Sequence, residues 1–215
     1  MVDKSLWQLK IEQDPSHSQW YIQRFETMRA NGQDLWGEAR MIDAMVQRGS
    51  RVFGGGAGAG CQNGSRILDA GAGAGRIGDY LQHAGHTVTG VDIDPALVEA
   101  SQALNPDVTW LQGDLTLLPE VLDVSAQFDA IVCAGNVVGF LAPSTRTRVL
   151  ANFASVLAEG GRAVVGFGAG RGYSFDDFFA DAEHAGLQVQ GKFSTWELHP
   201  FAEDSTFLVA VLAKA

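Results

Sequence analysis

From residue 65 onward the chain alternates between two hydrophobic rhythms. Short segments at Ile67-Leu68, His86–Val91, Val108–Gln112, Phe128–Cys133 and Arg162–Phe167 read as strands, and FDAIVC has the continuous apolar character of a buried parallel strand. Between them apolar residues recur every three or four positions, as on one face of a helix. Ile77, Tyr80, Leu81 and Ala84 form one such stripe, ended by Gly85. Asp94-Pro95 reads as a helix start, with Asp as N-cap and Pro at the first helical position. Ser144 to Ala158 predicts a helix with Val149, Leu150, Phe153, Val156 and Leu157 on its apolar face, stopped by Gly160-Gly161. Ser174 caps another, with Tyr173 and Phe178 spaced as a hydrophobic staple and Gly186 at its end. The pattern then changes. Gln188–Leu198 and Ser205–Lys214 are both strand-like and are joined by a short polar turn around His199-Pro200. Two strands with no helix between them pair antiparallel. The expectation is five parallel βα units closed by an antiparallel pair, an α/β fold.

The first 48 residues carry a helical pattern rich in large side chains, with Tyr21, Phe25 and Met28 on one face and a turn at Asn31-Gly32. These aromatics suit helix packing, or a lid over a ligand site. Residues 49–64 are dense in glycine and include GAGAG, without a preceding acidic strand end or a following amphipathic helix. They read as a connector. The expected organisation is an N-terminal helical cap with its connector over 1–64 and the main domain over 65–215.

The stretch Arg66 to Gly78, RILDAGAGAGRIG, combines a strand, an acid at its end (Asp69), glycines at 71, 73 and 75, and a helix. Glycine permits close approach and positive φ, and a helix start aims amide N–H groups into the turn. Asp92 follows Gly73 by 19 residues at the end of the second strand, the place of a ribose-binding acid in nucleotide folds. Asp94 serves as the helix cap and leaves Asp92 for a ligand; Ile93 between them suits the face of a base. Asp114 ends the third strand as a further carboxylate, or as a loop cap. Parallel strands set all three acids along one carboxyl edge, where open α/β sheets bind ligands. Three acids suit a ligand with positive charge and free hydroxyls.

Composition narrows the partners. The 215 residues are 46% hydrophobic and 19% charged, so the chain is globular. A net charge of -10 repels nucleic acid and anionic lipid, so neither is an expected partner. Cys133 sits in an apolar strand and Cys61 in the glycine-rich stretch, with no metal-ligand spacing around either. The N-terminus lacks a signal-peptide core and no run reaches the length of a membrane span, so a cytoplasmic protein is expected.

ILDAGAGAG, VTGVDIDP, QGDL, FDAIVC and LAEGG, in this order, resemble a class I S-adenosylmethionine-dependent methyltransferase over residues 65–215. The resemblance implies a Rossmann-like three-layer sandwich: a mostly parallel seven-stranded sheet with an antiparallel last strand. It implies S-adenosyl-L-methionine as cofactor. Asp69, Ala70, Gly71 and Gly73 would hold its methionine end. Asp92 would take the ribose hydroxyls, Ile93 and Leu115 would flank adenine, and Asp114 would face the adenine amine. Ala134, Gly135 and Asn136 would line the methionine moiety and the methyl exit. AGNVVGF replaces the Asn/Asp-Pro-Pro-aromatic motif of base-amine and glutamine methylation. No metal cluster of the catechol type and no Pro-Cys nucleophile is found. The expected acceptor is a small molecule, in a pocket shaped by the N-terminal helices and the last strand pair, and the expected state is a monomer or homodimer. Direct displacement makes a base optional. His199, Asn136 and Tyr21 are the candidate catalytic residues, with His17 beside them, and Trp20, Tyr21, Trp196 and Phe201 are candidate pocket walls. The alternatives are an NAD-dependent oxidoreductase, supported by the G-x-G-x-x-G frame of Gly73, Gly75 and Gly78, and a methyltransferase-like binding protein without catalysis.

Overall fold

The computed structural model describes residues 3–46 and 64–215. Most of the glycine-dense stretch, with Cys61, lies outside the described residues. Three helices come first: α1 (Leu6–Gln13), α2 (His17–Ala30) and α3 (Gly37–Met45). Strands and helices then alternate as β1 (Arg66–Ala70), α4 (Arg76–His83), β2 (Thr87–Asp92), α5 (Pro95–Leu104) and β3 (Thr109–Gln112). They continue as α6 (Leu118–Val121), β4 (Phe128–Cys133), α7 (Val137–Phe140), α8 (Arg146–Val156) and β5 (Leu157–Gly168). Helix α9 (Phe175–His184) precedes β6 (Leu187–Phe193) and β7 (Phe207–Lys214).

The seven strands form one sheet in the order β3-β2-β1-β4-β5-β7-β6. Neighbours pair parallel except β7, which runs antiparallel to both β5 and β6. The chain works outward from β1 to β3 and then crosses back to β4. The β1/β4 boundary is therefore the point where strand order reverses, and a crevice opens there at the carboxyl edge.

Because side chains alternate along a strand, each face of the sheet has its own core. On one face Leu68, Ile131, Val165 and Phe167 pack with Phe153 and Phe178 of the helices. On the other Ile67, Val132 and Val164 pack with Leu81 and Trp110, and with Ala39 and Ile42 of α3. Trp110 lies over glycines: a Cβ on Gly90 would run into its ring, and one on Gly78 would come within 2.7 Å of it. Gly78 thus serves helix–sheet packing. The Trp110 Nε1–H donates to the Asn105 carbonyl at 2.8 Å. Phe153 is fully buried in the first core. Phe153→Ala is expected to cost about 3–5 kcal/mol of stability, read as a fall in urea midpoint; a loss below about 1 kcal/mol would contradict this packing.

Local signals match the elements in detail. The Asp94 side chain caps α5, with Pro95 at its first position. The Ser174 hydroxyl accepts from the Asp177 amide at 3.0 Å, and the Tyr173 and Phe178 rings meet edge-on at 5.8 Å. One expectation fails. Residues 157–161 do not finish α8 but begin β5: Leu157 pairs with Phe128, and the ladder then shifts so that Arg162 pairs with Ala130. Gly160 takes φ +72° in this offset. The glycines here make an irregularity within the strand, not a helix stop.

Candidate active site at the carboxyl edge of the sheet

The glycine turn after β1 is held from within. The Gly71 and Ala72 amides both donate to the Val91 carbonyl, at 2.8 and 3.0 Å. The Gly73 amide donates to Asp92 Oδ2 at 2.8 Å and the Gly78 amide to Asp69 Oδ2 at 3.1 Å. The chain's own acids thus take two of the amides at the turn and the helix start. The turn contributes room instead. Gly71 and Gly73 have φ +80° and +57°. A Cβ on Gly71 would collide with the Val137 methyls, and one on Gly73 would come 3.1 Å from the Tyr21 hydroxyl.

A cleft of about 310 Å³ opens over this turn. Its floor gathers the ends of three strands: Asp92 and Ile93 after β2, Asp114 and Leu115 after β3, Gly135 and Asn136 after β4. A smaller cavity of about 90 Å³ shares Tyr21, Gly71 and Gly135 with it and reaches Ala134. Asp69 and Ala70 line neither; both are at most 1% exposed and lie beneath the turn.

Asp92 uses one lone pair on each oxygen for a backbone amide, Oδ2 for Gly73 and Oδ1 for Asp94 at 3.0 Å. A carboxylate has about four acceptor sites, so two remain for hydroxyl donors in the cleft. Asp114 caps the following turn through Oδ1, which accepts from the Thr116 amide at 2.8 Å. Burial pushes the Asp92 carboxyl up to about 6, against the Asp94 and Gly73 amides, which pull it down. Burial pushes Asp69 up to about 7, against the Arg76 guanidinium and the Gly78 amide. Two costly buried acids beside one cavity favour a ligand with positive charge.

Helices α1 and α2 roof the cleft. Trp7 Nε1 and the Ser18 hydroxyl both donate to Asp94 Oδ2, at 2.9 and 2.5 Å. Asp94 Oδ1 still caps α5 by accepting from the Ala96 amide at 2.9 Å. Asp94 therefore joins the roof to the strand end that carries Asp92. The Trp7 ring stands edge-on to Tyr21 at 5.5 Å and to Phe140 at 5.6 Å. His17 is stacked on Trp20 at 5.1 Å. Arg76 ties α4 to the N-terminal segment: its guanidinium donates to both Glu38 carboxylate oxygens, at 2.9 and 2.5 Å, and to the Leu35 carbonyl.

The candidate catalytic residues divide. Tyr21 lines the cleft, and burial pushes its phenol up to about 12, so it is a proton donor in hydrogen bonds and no base near neutrality. Asn136 lines it too, in a left-handed conformation, with Oδ1 accepting from the Gly168 amide at 2.8 Å. His199 does not: it is exposed on the β6–β7 connection and lines neither cavity. The reason is topological, since β6 is the edge strand, separated from β4 by β5 and β7. Trp196 and Phe201 are displaced with it. Trp196 lies against Gly166 and walls a separate cavity of about 550 Å³ between α3 and β6, and Phe201 packs on Phe175 at 5.5 Å. Trp20 and His17 do line the cleft. Burial and the nearby Lys10 charge push the His17 imidazole below its ordinary value, against the Asp14 and Asp94 carboxylates, which raise it. Trp7, Phe140 and Val137, which also line the cleft, were not singled out from the sequence as site residues.

The reversed β7 between β5 and β6, with the acid-floored cleft at the strand-order reversal, defines an α/β methyltransferase. A family model described as a methyltransferase domain matches residues 67–161. A TehB-like SAM-dependent methyltransferase from Corynebacterium glutamicum is 46% identical, with a TM-score of 0.82 over 94% of this chain and all of that one. An S-adenosylmethionine-dependent methyltransferase from Clostridium acetobutylicum is 10% identical, with a TM-score of 0.72 over 92% of this chain and 98% of that one. The CcbJ methyltransferase of Streptomyces caelestis is 15% identical, with a TM-score of 0.69 over 83% and 88%. The last two show likeness of fold. No curated protein matches the chain. The chain belongs to the S-adenosylmethionine-dependent methyltransferase family. It is an enzyme, and its cofactor is S-adenosylmethionine. The residues present fit that cofactor: glycines leave the space a Cβ would fill, and the floor offers carboxylates to hydroxyl and cationic groups. Among the described residues no helix is long and apolar enough to cross a membrane.

Proposed function

We propose that this enzyme methylates a small molecule that enters between α1 and the segment following β4. The observation that carries this reading is the roof: α1 and α2 close the cleft to about 310 Å³, a ligand-sized pocket and not an open surface. In this reading Asp92 accepts from the ribose hydroxyls, Ile93 and Leu115 flank the adenine, and the second oxygen of Asp114 meets its amine. Gly71, Gly73, Ala134 and Gly135 leave room for the methionine portion. Asp69 and Ala70 act from beneath, by fixing the turn and adding negative potential.

When bound, S-adenosylmethionine supplies an activated methyl group for direct displacement onto an O, N, S or C atom of the acceptor. The protein aligns the acceptor and excludes water. Trp7, Tyr21 and Phe140 do the latter from the roof and side. Tyr21 donates a hydrogen bond from its hydroxyl, and Asn136 from Nδ2, since its Oδ1 is engaged. His17 lines the same cleft, where its imidazole would accept a proton released by the acceptor.

The test is methyl-labelled S-adenosylmethionine incubated with the enzyme and fractionated metabolites. Label is expected in a small-molecule product; label only on protein or nucleic acid contradicts the reading.

The pH dependence follows from the buried acids. Asp92 and Asp69 are raised above the unfolded value near 3.9. The free folded protein thus holds their protons more tightly than the unfolded chain. That contribution is fully present below about pH 4 and is lost as pH rises through about 6 to 7. A cation in the cleft offsets the cost of ionising them. The rise in melting temperature on adding S-adenosylmethionine is therefore expected to be larger at pH 8 than at pH 5.5, with affinity about tenfold weaker at pH 5 than at pH 7.5. Equal thermal shifts at the two pH values would count against it.

A further inference from the structure

The cleft is lined by basic as well as acidic side chains. Lys10 from α1, Arg24 from α2 and Arg171 from the loop between β5 and α9 all line it. They come from three separate segments of a chain with 15 basic residues, 25 acidic ones and a net charge of -10. None of the three makes an ion pair among the described residues. The two lining acids accept from backbone amides, Asp92 from two and Asp114 from one, and neither pairs with these cations among the described residues.

The three cations are not equivalent. The Arg24 guanidinium lies over the Trp20 and Phe25 rings, at 5.8 and 6.0 Å. Arg171 packs its stem against α7: a Cβ on Gly139 would come 3.0 Å from the Arg171 Cβ. That contact ties Arg171 to the helix that carries Val137 and Phe140. Lys10 lies one helical turn beyond Trp7 on α1, and the Trp7 ring meets Phe140 edge-on. The side of the cleft formed by α1 and α7 thus sets the Trp7 and Phe140 rings, in edge-to-face contact, beside two cations; Lys10 also interacts with the Asp14 carboxylate one turn further on.

We propose that the methyl acceptor is a small organic anion, a flat apolar body bearing a carboxylate. Trp7 and Phe140 take the body, and Lys10 and Arg171 take the charge. The inference rests on the cleft being the methyl-transfer site. Cations placed in this way raise the local concentration of an anion against the repulsion of the chain as a whole. The cofactor contributes one carboxylate of its own, so the test is made with S-adenosylhomocysteine already bound, when that charge has been placed.

The experiment is calorimetric titration of the S-adenosylhomocysteine complex with paired probes: benzoate and benzamide, 4-hydroxybenzoate and 4-hydroxybenzamide, with inorganic phosphate alongside. The acids are expected to bind at least tenfold tighter than their amides. In the Lys10→Met/Arg171→Met variant that ratio is expected to fall to about twofold. Equal binding of acid and amide overturns the proposal, as does an unchanged ratio in the variant or the lack of saturable binding by any acid. Phosphate binding as tightly as the acids overturns the role of the two rings. The titration with S-adenosylhomocysteine is run first; if it does not bind, the reading of the cleft itself fails, which separates the two.

Discussion

Asp92→Ala is expected to weaken S-adenosylmethionine binding on the order of 100-fold, measured by calorimetry at pH 7.5. The estimate follows from what the carboxylate can still do. Each oxygen already accepts one backbone amide, from Gly73 and Asp94. The remaining lone pairs face a cleft that the side chain lines. Hydrogen bonds to a charged acceptor are worth about 1.5–3 kcal/mol each, and two of them correspond to about two orders of magnitude in affinity or more. The fold is expected to survive, because two opposing effects meet at this site. The amides of Gly73 and Asp94 lose an acceptor, but a carboxylate that burial holds at about 6 is removed. Asp92→Asn keeps one acceptor oxygen and is expected to fall between the two. Wild-type affinity in Asp92→Ala would remove the carboxylate from the cofactor site.

Gly71→Ala is expected to lower stability by about 2–5 kcal/mol and to abolish cofactor binding. Two costs add. At φ +80° a residue with a Cβ is strained by about 1–2 kcal/mol. The new methyl would also enter the volume of the Val137 side chain, and overpacking of this kind costs about 1–3 kcal/mol. Val137 sits at the start of α7, so the clash pushes the segment after β4 away from the turn after β1. The two segments are opposite sides of the proposed methionine position. The double variant Gly71→Ala/Val137→Ala is expected to recover about half of the stability, because it relieves the collision and leaves the backbone strain. A single variant as stable as the wild type in urea would contradict the close approach of these two segments.

The strands, their order of direction and the helix caps were legible because each is written in neighbouring residues. FDAIVC is a strand by its own composition, and Asp94-Pro95 and Ser174 with Tyr173 and Phe178 form their caps locally. The reversed last strand followed from the lack of a helix between two apolar runs. LAEGG misled because a glycine pair has the same spelling at a helix end and at a register shift in a strand; only the partner Phe128 distinguishes them. The acids of the floor were legible as strand ends. What they do in the free protein was not, since Asp69 and Asp92 reach glycine amides whose direction depends on the turn. The roof was the least legible part. Trp7 and Asp94 are 87 residues apart, and nothing near either one announces the other. His17 and His199 looked alike as isolated histidines, and their difference comes from the distance of the β6 edge from the cleft.

The glycine frame also has a physical resolution. Gly73 lies under Tyr21 in the cleft, but Gly75 and Gly78 face Trp110, with Ser101 also against Gly75. Two of the three glycines that suggested a dinucleotide loop are therefore there for the packing of α4 and α5 against β3. The acids and the reversed strand, not the glycine spacing, distinguish this fold from a dehydrogenase domain.

The most direct measurement is a crystal structure of the protein with S-adenosylhomocysteine bound. Both ribose hydroxyls are expected within about 2.5–3.0 Å of the Asp92 carboxylate, adenine between Ile93 and Leu115, and the sulfur facing the part of the cleft lined by Trp7 and Phe140. A nucleoside bound elsewhere, or one in the cleft with its ribose turned away from Asp92, would contradict this reading of the cleft.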